Sequence, residues 1–401
     1  MNAGLFMEDI LLAVSADENK IKSVDSTDLE SINIHPLFTT LSGEQIYRQD
    51  NSIVVKFPSN RKSITTSWLN GGYRDDLHCI FNHTIPYYIQ DETELEGGDL
   101  CSYLSSVACR LGFESRRSAG LLTAAQMENV SIVSRSFRGV QVTAIVTGGI
   151  DINGGRAGDH ASYYEECGEV KMINGTINTI LLIGADLPHY AMNRAIITAS
   201  EAKTVALQEL LAPSRYSSGI ATGSGTDMIA VVADSKSPYK LKDSGKHSKL
   251  GELIGTCIIE ATKEALQKQT GLTPKSQCDV ITRLGRFGIK EENICDISHE
   301  LGKVGQFDDF SRNMELLRKN QMLVGLTGSI LHIIDEVSWG LLSEKEGKIT
   351  SFAIMKGTSL ISDMPNTIPF DDILNANYSI IHNWMRVIAW LCMNSGFTKM
   401  N

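Results

Sequence analysis

The stretch that most constrains this chain runs over residues 219–252, GIATGSGTDMIAVVADSKSPYKLKDSGKHSKLGE. A turn of glycine and hydroxyl residues, Thr222-Gly223-Ser224-Gly225-Thr226-Asp227, leads into an apolar run of strand length. A cationic turn, Lys246-His247-Ser248-Lys249, then opens a long amphipathic segment. The unit reads as turn, strand, turn and helix, which places a sheet beside a helical layer. Glycine lets a backbone come close to a ligand, and a helix start offers free N–H groups to an anion. His247 is the residue type that changes charge near neutrality. The stretch predicts a small-molecule enzyme site.

The surrounding pattern extends this scaffold. Residues 52–57 and 62–68 are rich in Val, Ile and Thr, and Pro58-Ser59-Asn60-Arg61 between them reads as a hairpin turn. Residues 99–112 carry Leu100, Tyr103, Leu104, Val107, Ala108 and Leu111 at helical spacing, with Gly112 as a stop. Residues 130–133 and 140–146 read as strands joined through Phe137-Arg138-Gly139, and 180–183 and 229–233 as buried strands. Residues 188–211 form a helical pattern with Ala191, Ala195, Ala199, Ala202 and Ala206 on one stripe, ended by Pro213. A second long helix, 250–269, stops at Gly271. From Lys275 onward the pattern is mainly helical, over 275–287, 291–302, 307–319, 328–342 and 371–394, with one strand signal at 349–355. The predicted class is α+β, a mixed sheet flanked by long helices, with a helix-rich C-terminal extension. The expected divisions are a lead-in over 1–50, a catalytic domain over 51–288 and the extension over 289–401.

Bulk properties narrow the function. The 401 residues are 42% apolar and 21% charged, enough to bury a full core. A net charge of -10 argues against a nucleic-acid partner, which calls for a basic surface. The apolar run near the N-terminus is interrupted by Glu8 and Asp9 and lacks a basic flank, so no secretory signal is read. No apolar run approaches the ~18 residues of a membrane span. The expected setting is therefore cytoplasmic, with no membrane partner. The eight cysteines form no C-x-x-C pair and are expected as reduced, buried thiols.

Familiar motifs fail on specific residues. Gly223-Ser224-Gly225 begins a dinucleotide fingerprint, but Met228 occupies its last glycine position. Gly245-Lys246 resembles the end of a phosphate loop, but His247 follows it and Lys240 stands where that loop begins. His299-Glu300 lacks a second histidine, and no nucleophile-elbow pattern occurs.

Three polar segments remain. Residues 148–159, GGIDINGGRAGD, hold five glycines with Asn153, Arg156 and Asp159 among them. Arg156 is suited to a carboxylate, phosphate or amide oxygen; the alternative is an ordinary bridge to Asp159. Asn178 and Thr179 precede a strand and a helix that bears Glu201 and Lys203. Between Ala199 and Ala202, Glu201 is placed to enter a cleft, where desolvation would raise its pKa. The alternative puts Glu201 on a solvated stripe with Arg194 and Gln208. The third segment sets Lys246, His247 and Lys249 at a helix start, where the dipole disfavours cations. That mismatch points to a bound anion, against the alternative of a solvated polar loop.

GLLTAAQMENVSI, AIVTGGIDINGGRAGD, NGTINTILLIGADLP, RAIITASEAKTVALQELLAPSRYSSGIATGSGTD and GKHSKLGELIG resemble the adenosylcobinamide amidohydrolase family. The resemblance is dense over residues 120–288 and looser through SWLNGGYRDDL, FNH and SILHIIDEVSWGLL. It implies hydrolysis of the amide joining aminopropanol, or its phosphate, to the corrin propionate, giving adenosylcobyric acid. Some members also act on complete adenosylated cobamides. The corrinoid is then a bound substrate and no separate cofactor is required. His160, Gly149 and Met228 depart from the family pattern and bear on substrate preference.

The residues support direct attack by water, with Glu201 or Asp159 as base and His247 protonating the leaving amine. Lys249 or Arg156, with backbone N–H groups of residues 223–226, would hold the oxyanion or the substrate phosphate. Asn153, Asn178, Thr179, Lys203, Gly223, Ser224, Gly225, Thr226, Asp227 and Lys246 complete the expected binding set. Competing routes are a Ser224, Thr226 or Thr222 nucleophile with His247 as base, and a divalent metal on Asp159, His160, Glu201 and His247. A corrinoid-binding or regulatory protein without catalysis is the reading from another class. The C-terminal helices could cover the corrin, form a homo-oligomer or complete the core.

Overall fold

A computed structural model describes residues 35–86, 89, 91–161, 175–301, 307–361 and 368–394. The account below concerns the compact unit that begins at Pro36.

Among the described residues eleven strands make two large sheets. The first has the order β1 (Phe38–Thr39), β2 (Gln45–Gln49), β3 (Ser52–Lys56), β6 (Cys79–Thr84), β7 (Ser118–Thr123). The second runs β5 (Gly72–Arg74), β4 (Lys62–Thr65), β13 (Met228–Ala233), β11 (Thr176–Ile183), β9 (Val140–Gly149), β8 (Ser131–Phe137). Each is mostly antiparallel, with one parallel pair, β6 with β7 and β11 with β13. β7 and β11 are buried along their whole length, as expected of strands covered on both faces.

The sheets stack face to face. Ile53, Val55, Ile80 and Leu121 of the first share a core with Ile180, Leu182, Ala230 and Val232 of the second. The outer face of the first sheet is covered by α1 (Leu100–Arg110), through Tyr103, Leu104 and Val107. The outer face of the second is covered by α2 (His189–Glu209) and α3 (Lys249–Thr270). The result is four layers, helix, sheet, sheet, helix. α2 buries its alanine stripe, Ala191, Ala195, Ala199, Ala202 and Ala206. Gly271 ends α3 with φ 72°, a left-handed cap that glycine adopts without strain.

The remaining helices gather around a separate core that includes Val280, Leu284, Leu323, Ile330 and Trp384. They are α4 (Val280–Leu284), α5 (Glu291–Glu300), α6 (Phe307–Leu317), α7 (Gln321–Ser338), α8 (Glu344–Lys356), α9 (Phe370–Ile373) and α10 (Ile380–Asn394). The α+β class with a helical C-terminal region is what the structure shows.

Several local expectations are corrected. Residues 52–57 and 62–68 do not pair as a hairpin: β3 pairs with β2 and β6, and β4 with β13 and β5. The turn between them passes from one sheet to the other. Tight hairpins join β2 to β3 and, as the sequence placed it, β8 to β9, where Arg138 (φ 47°) and Gly139 (φ 86°) give the two left-handed residues of the turn. The strand signal at 349–355 lies inside α8, because Ser343 caps that helix and local apolar runs do not fix their own period. The segment 371–394 is interrupted between α9 and α10. Residues 38–49 carry β1 and β2 of the first sheet. Cys79, Cys257 and Cys392 are buried and free, but Cys101, Cys109 and Cys278 are exposed; Cys167 lies outside the described residues.

Candidate functional site

Two glycine-rich segments meet side by side. β10 (Gly154–Gly155) pairs with β12 (Gly223–Ser224) as a short antiparallel ribbon. Asn153 is fully buried there. Its amide donates to Gly175 O at 2.8 Å and Thr226 Oγ1 at 3.3 Å, and its Oδ1 accepts from Tyr216 OH at 3.0 Å. Thr226 Oγ1 donates to Gly175 O at 2.7 Å. Asp227 gathers four donors: Ile177 N at 2.8 Å, Ser224 N at 2.9 Å, Ser224 Oγ at 2.7 Å and the Lys203 ammonium. A Cβ on Gly223 would overlap the Asp227 carboxylate and lie 2.9 Å from Lys203 Nζ, so a side chain there would have to displace that ion pair. Gly225 lies beside Asn153 with ordinary clearance.

Asn178 ties this network to the other sheet. Its amide donates to Asn82 Oδ1 and Leu122 O, both at 2.7 Å, while its Oδ1 accepts from Met228 N at 3.2 Å. Asn82, which sequence reasoning did not single out, donates in turn to Thr147 Oγ1 at 2.8 Å. Thr179 is buried within β11, in register with Val146 and Ile229.

Asp159 accepts from Arg156 N at 2.8 Å and Ser214 Oγ at 2.6 Å. Burial pushes its carboxyl up, but hydrogen bonds from Ser214, Ser217 and the Arg156 backbone outweigh that and hold it below the usual range. Such a carboxylate anchors the loop and is a weak base. Its hydrogen bond with Arg156 runs through the backbone, leaving the Arg156 side chain exposed, with its Cδ against Gly219.

The third segment lies along α2. Glu201 is not desolvated: its side chain is 47% exposed and bonds Lys246 Nζ at 2.9 Å. The reason is helical phase. The alanines take the buried stripe, and Glu201 falls on the opposite face with Arg194. The cations at the start of α3 are likewise not unpaired. Lys246 meets Glu201; Lys249 meets Glu252 at 2.7 Å and lies 4.8 Å from the centre of the Phe137 ring. Ser248 caps α3 by accepting from Gly251 N at 3.0 Å. A Cβ on Gly251 would run into the Gly245 carbonyl, so glycine lets the 245–248 turn close over the helix start.

His247 and Glu201 line one pocket of about 460 Å³, together with Tyr190, Arg194, Ile197 and Lys246. Tyr190 and Ile197 are 61% and 59% exposed, apolar side chains left uncovered on α2. One turn beyond Glu201, Thr204 Oγ1 donates to Thr222 O at 3.1 Å, and Thr222 Oγ1 accepts from Ala157 N at 2.9 Å. Hydrogen bonds thus tie α2, one turn past Glu201, through Thr222 to the Arg156 loop. Tyr190, Ile197 and Thr204 went unnoticed in the sequence, although their spacing from Glu201 sets them opposite the alanine stripe. Among the described residues no three His, Cys, Asp or Glu side chains converge as a metal-ligand set. No helix among them is long and apolar enough to cross a membrane.

A family model described as adenosylcobinamide amidohydrolase matches residues 37–274, from just before β1 to just past the cap of α3. The chain belongs to the adenosylcobinamide amidohydrolase family. It is accordingly a hydrolase, and every site residue discussed above falls within the matched span. An uncharacterized protein of Methanocaldococcus jannaschii is 31% identical over 242 residues, covering 57% of this chain and 91% of its own. An adenosylcobinamide amidohydrolase of Methanosarcina mazei is 28% identical over 231 residues, covering 56% of this chain and 98% of its own. The helices from α4 onward lie beyond the family match.

Proposed function

We propose that this amidohydrolase cleaves the amide between a corrin propionate side chain and aminopropanol, or its phosphate, in adenosylcobinamide. Water adds across the C–N bond, giving adenosylcobyric acid and the free amino alcohol for cobamide salvage. The observation that carries the reading is the meeting of His247 and Glu201 in one pocket, beside the helix that is hydrogen-bonded to the glycine-rich loops.

Glu201 takes the proton from the attacking water, and Lys246 lies beside it at 2.9 Å. His247 protonates the departing amine, the step without which an amide nitrogen is a poor leaving group. Arg156, whose side chain is exposed beside Gly219, holds the oxyanion or the substrate phosphate. Tyr190 and Ile197 offer an apolar floor to the corrin. The Lys203–Asp227–Ser224 network positions the 223–227 turn. The side-chain hydrogen bonds of Ser224 among the described residues go to Asp227 and Thr226 and none to His247, the base a Ser224 nucleophile would need, which favours water as the attacking group.

Adenosylcobinamide incubated with the full chain should yield adenosylcobyric acid, followed by chromatography. Binding without product would replace this reading with a non-catalytic corrinoid-binding role. An acyl-enzyme trapped on Ser224 would replace water attack with covalent catalysis. Adenosylcobalamin run in parallel separates a cobinamide hydrolase from one that also accepts complete cobamides.

A further inference from the structure

A larger cleft, of about 730 Å³, lies between the family-matched layers and the C-terminal helices. That volume falls within the range of small-molecule sites, about 300–1,000 Å³. One wall is apolar, with Ile150, Leu211 and Leu272. The other includes α4 and the exposed face of α7. α7 turns Leu323, Val324, Thr327 and Ile330 into the helical core and presents Gly325 and Gly328 to the cleft.

The charges in the cleft do not cancel within it. Arg286 is paired with Asp335 at 2.8 Å, and His332 lies 3.3 Å from Glu336. Among the described residues the Arg283 side chain makes one hydrogen bond, from Nε to Gln277 O at 2.9 Å. Its two terminal amino groups have no partner among the described residues. A Cβ on Gly328 would come within 2.6 Å of Arg283 Nη1, so the glycine gives the guanidinium a seat against the helix. Across the cleft, the Arg215 side chain likewise has no hydrogen bond among the described residues. Asp151 faces the same space; desolvation raises its carboxyl, with Arg215 pulling the other way. Two guanidinium groups with free N–H forks beside an apolar wall are built to take a carboxylate or phosphate.

We propose that this cleft is a second binding site, for a small molecule that carries a carboxylate or phosphate on an apolar body. Arg283 and Arg215 take the anion, and the Ile150–Leu211–Leu272 wall takes the body. The site is separate from the His247 pocket, and Arg283 and the α7 glycines lie beyond the span of the family match.

The full-length chain is titrated with phenyl phosphate, benzoate and inorganic phosphate at matched ionic strength, by calorimetry and thermal melting. Phenyl phosphate or benzoate should bind saturably, at least tenfold more tightly than inorganic phosphate. Their order identifies phosphate or carboxylate as the preferred anion. Arg283→Gln should weaken binding tenfold or more. Gly325→Leu should do the same by filling the cleft. A Cβ at Gly325 meets nothing within 4 Å, and leucine is the better helix former, so the unliganded melting point should hold or rise. No saturable binding, equal affinity for inorganic phosphate, or unchanged affinity in Gly325→Leu would overturn the proposal. The leucine variant decides the matter if Arg283→Gln does not fold.

Discussion

Lys203 on α2 and Asp227 before β13 are joined as an ion pair with 16% and 14% of their side chains exposed. The pair links the helical layer to the glycine-rich turn, and Asp227 extends the link to Ser224 and to the Ile177 N–H of β11. Removing one partner leaves a nearly buried charge uncompensated, which costs about 3 kcal/mol. Asp227→Asn should therefore lower stability by about that amount in urea denaturation. Lys203→Met added to Asp227→Asn removes the unpaired ammonium, while the Asn oxygen still accepts from Ile177 N and Ser224 Oγ, so the double variant should recover much of the lost stability. No recovery would place the loss in the hydrogen bonds of Asp227 rather than in the orphaned charge.

Gly223 makes the same point without charge. Alanine there forces the turn away from the Asp227 carboxylate. The expected cost is about 1–3 kcal/mol, as for other overpacked sites. Gly225→Ala is the control, since the nearest atom to its Cβ is Asn153 Oδ1 at 3.5 Å. That variant should melt within about 0.5 kcal/mol of the parent. Equal losses at the two positions would show that the turn needs glycine for its backbone rather than for clearance.

The long helices, the buried strands and the glycine-rich turn were legible in the sequence because each rests on local spacing. The alanine stripe of 191–206 fixed which face of α2 is buried. The same stripe, followed round the helix, puts Glu201 in solvent. Reading Glu201 from its immediate neighbours, Ala199 and Ala202, missed that phase. The charge pairings were harder, because Lys246 with Glu201 and Lys203 with Asp227 span 45 and 24 residues. The stacking of two sheets left no local mark either. β3 and β4 follow one another closely but part into different sheets, and long-range contacts such as those of Asn82 with Asn178 and Thr147 show how the layers register.

His247 and Glu201 are both exposed, so replacing them should change chemistry and spare the fold. His247→Ala and Glu201→Gln should each lower turnover of adenosylcobinamide by at least ~10², as for the loss of a general acid or base. Their melting should stay within about 0.5 kcal/mol of the parent. Residues that act as a unit are non-additive, so the double variant should be little worse than the poorer single one. Losses that multiply would mean that the two act independently.

His83 gives the chain a pH dependence away from the site. Its ring nitrogens lie 2.8 Å from Ser52 Oγ and 3.0 Å from Tyr103 OH in the layer beneath α1. Burial, and then the Arg110 charge, push its pKa down to about 4. An unfolded histidine titrates near about 6.5. Above that value the ring is neutral in both states and its contribution to folding is constant. Between about 6.5 and about 4 the unfolded chain binds a proton that the folded chain refuses, so stability falls as pH falls. The shift corresponds to roughly 3 kcal/mol over that window, and it levels off below the folded value. Asp159 and Asp279, held below the usual carboxylate range, lose their contribution only at lower pH, as they protonate. Urea denaturation between about pH 7 and about pH 4.5 should therefore show a slope that His83→Gln flattens. An unchanged slope in that variant would place the proton uptake on another group.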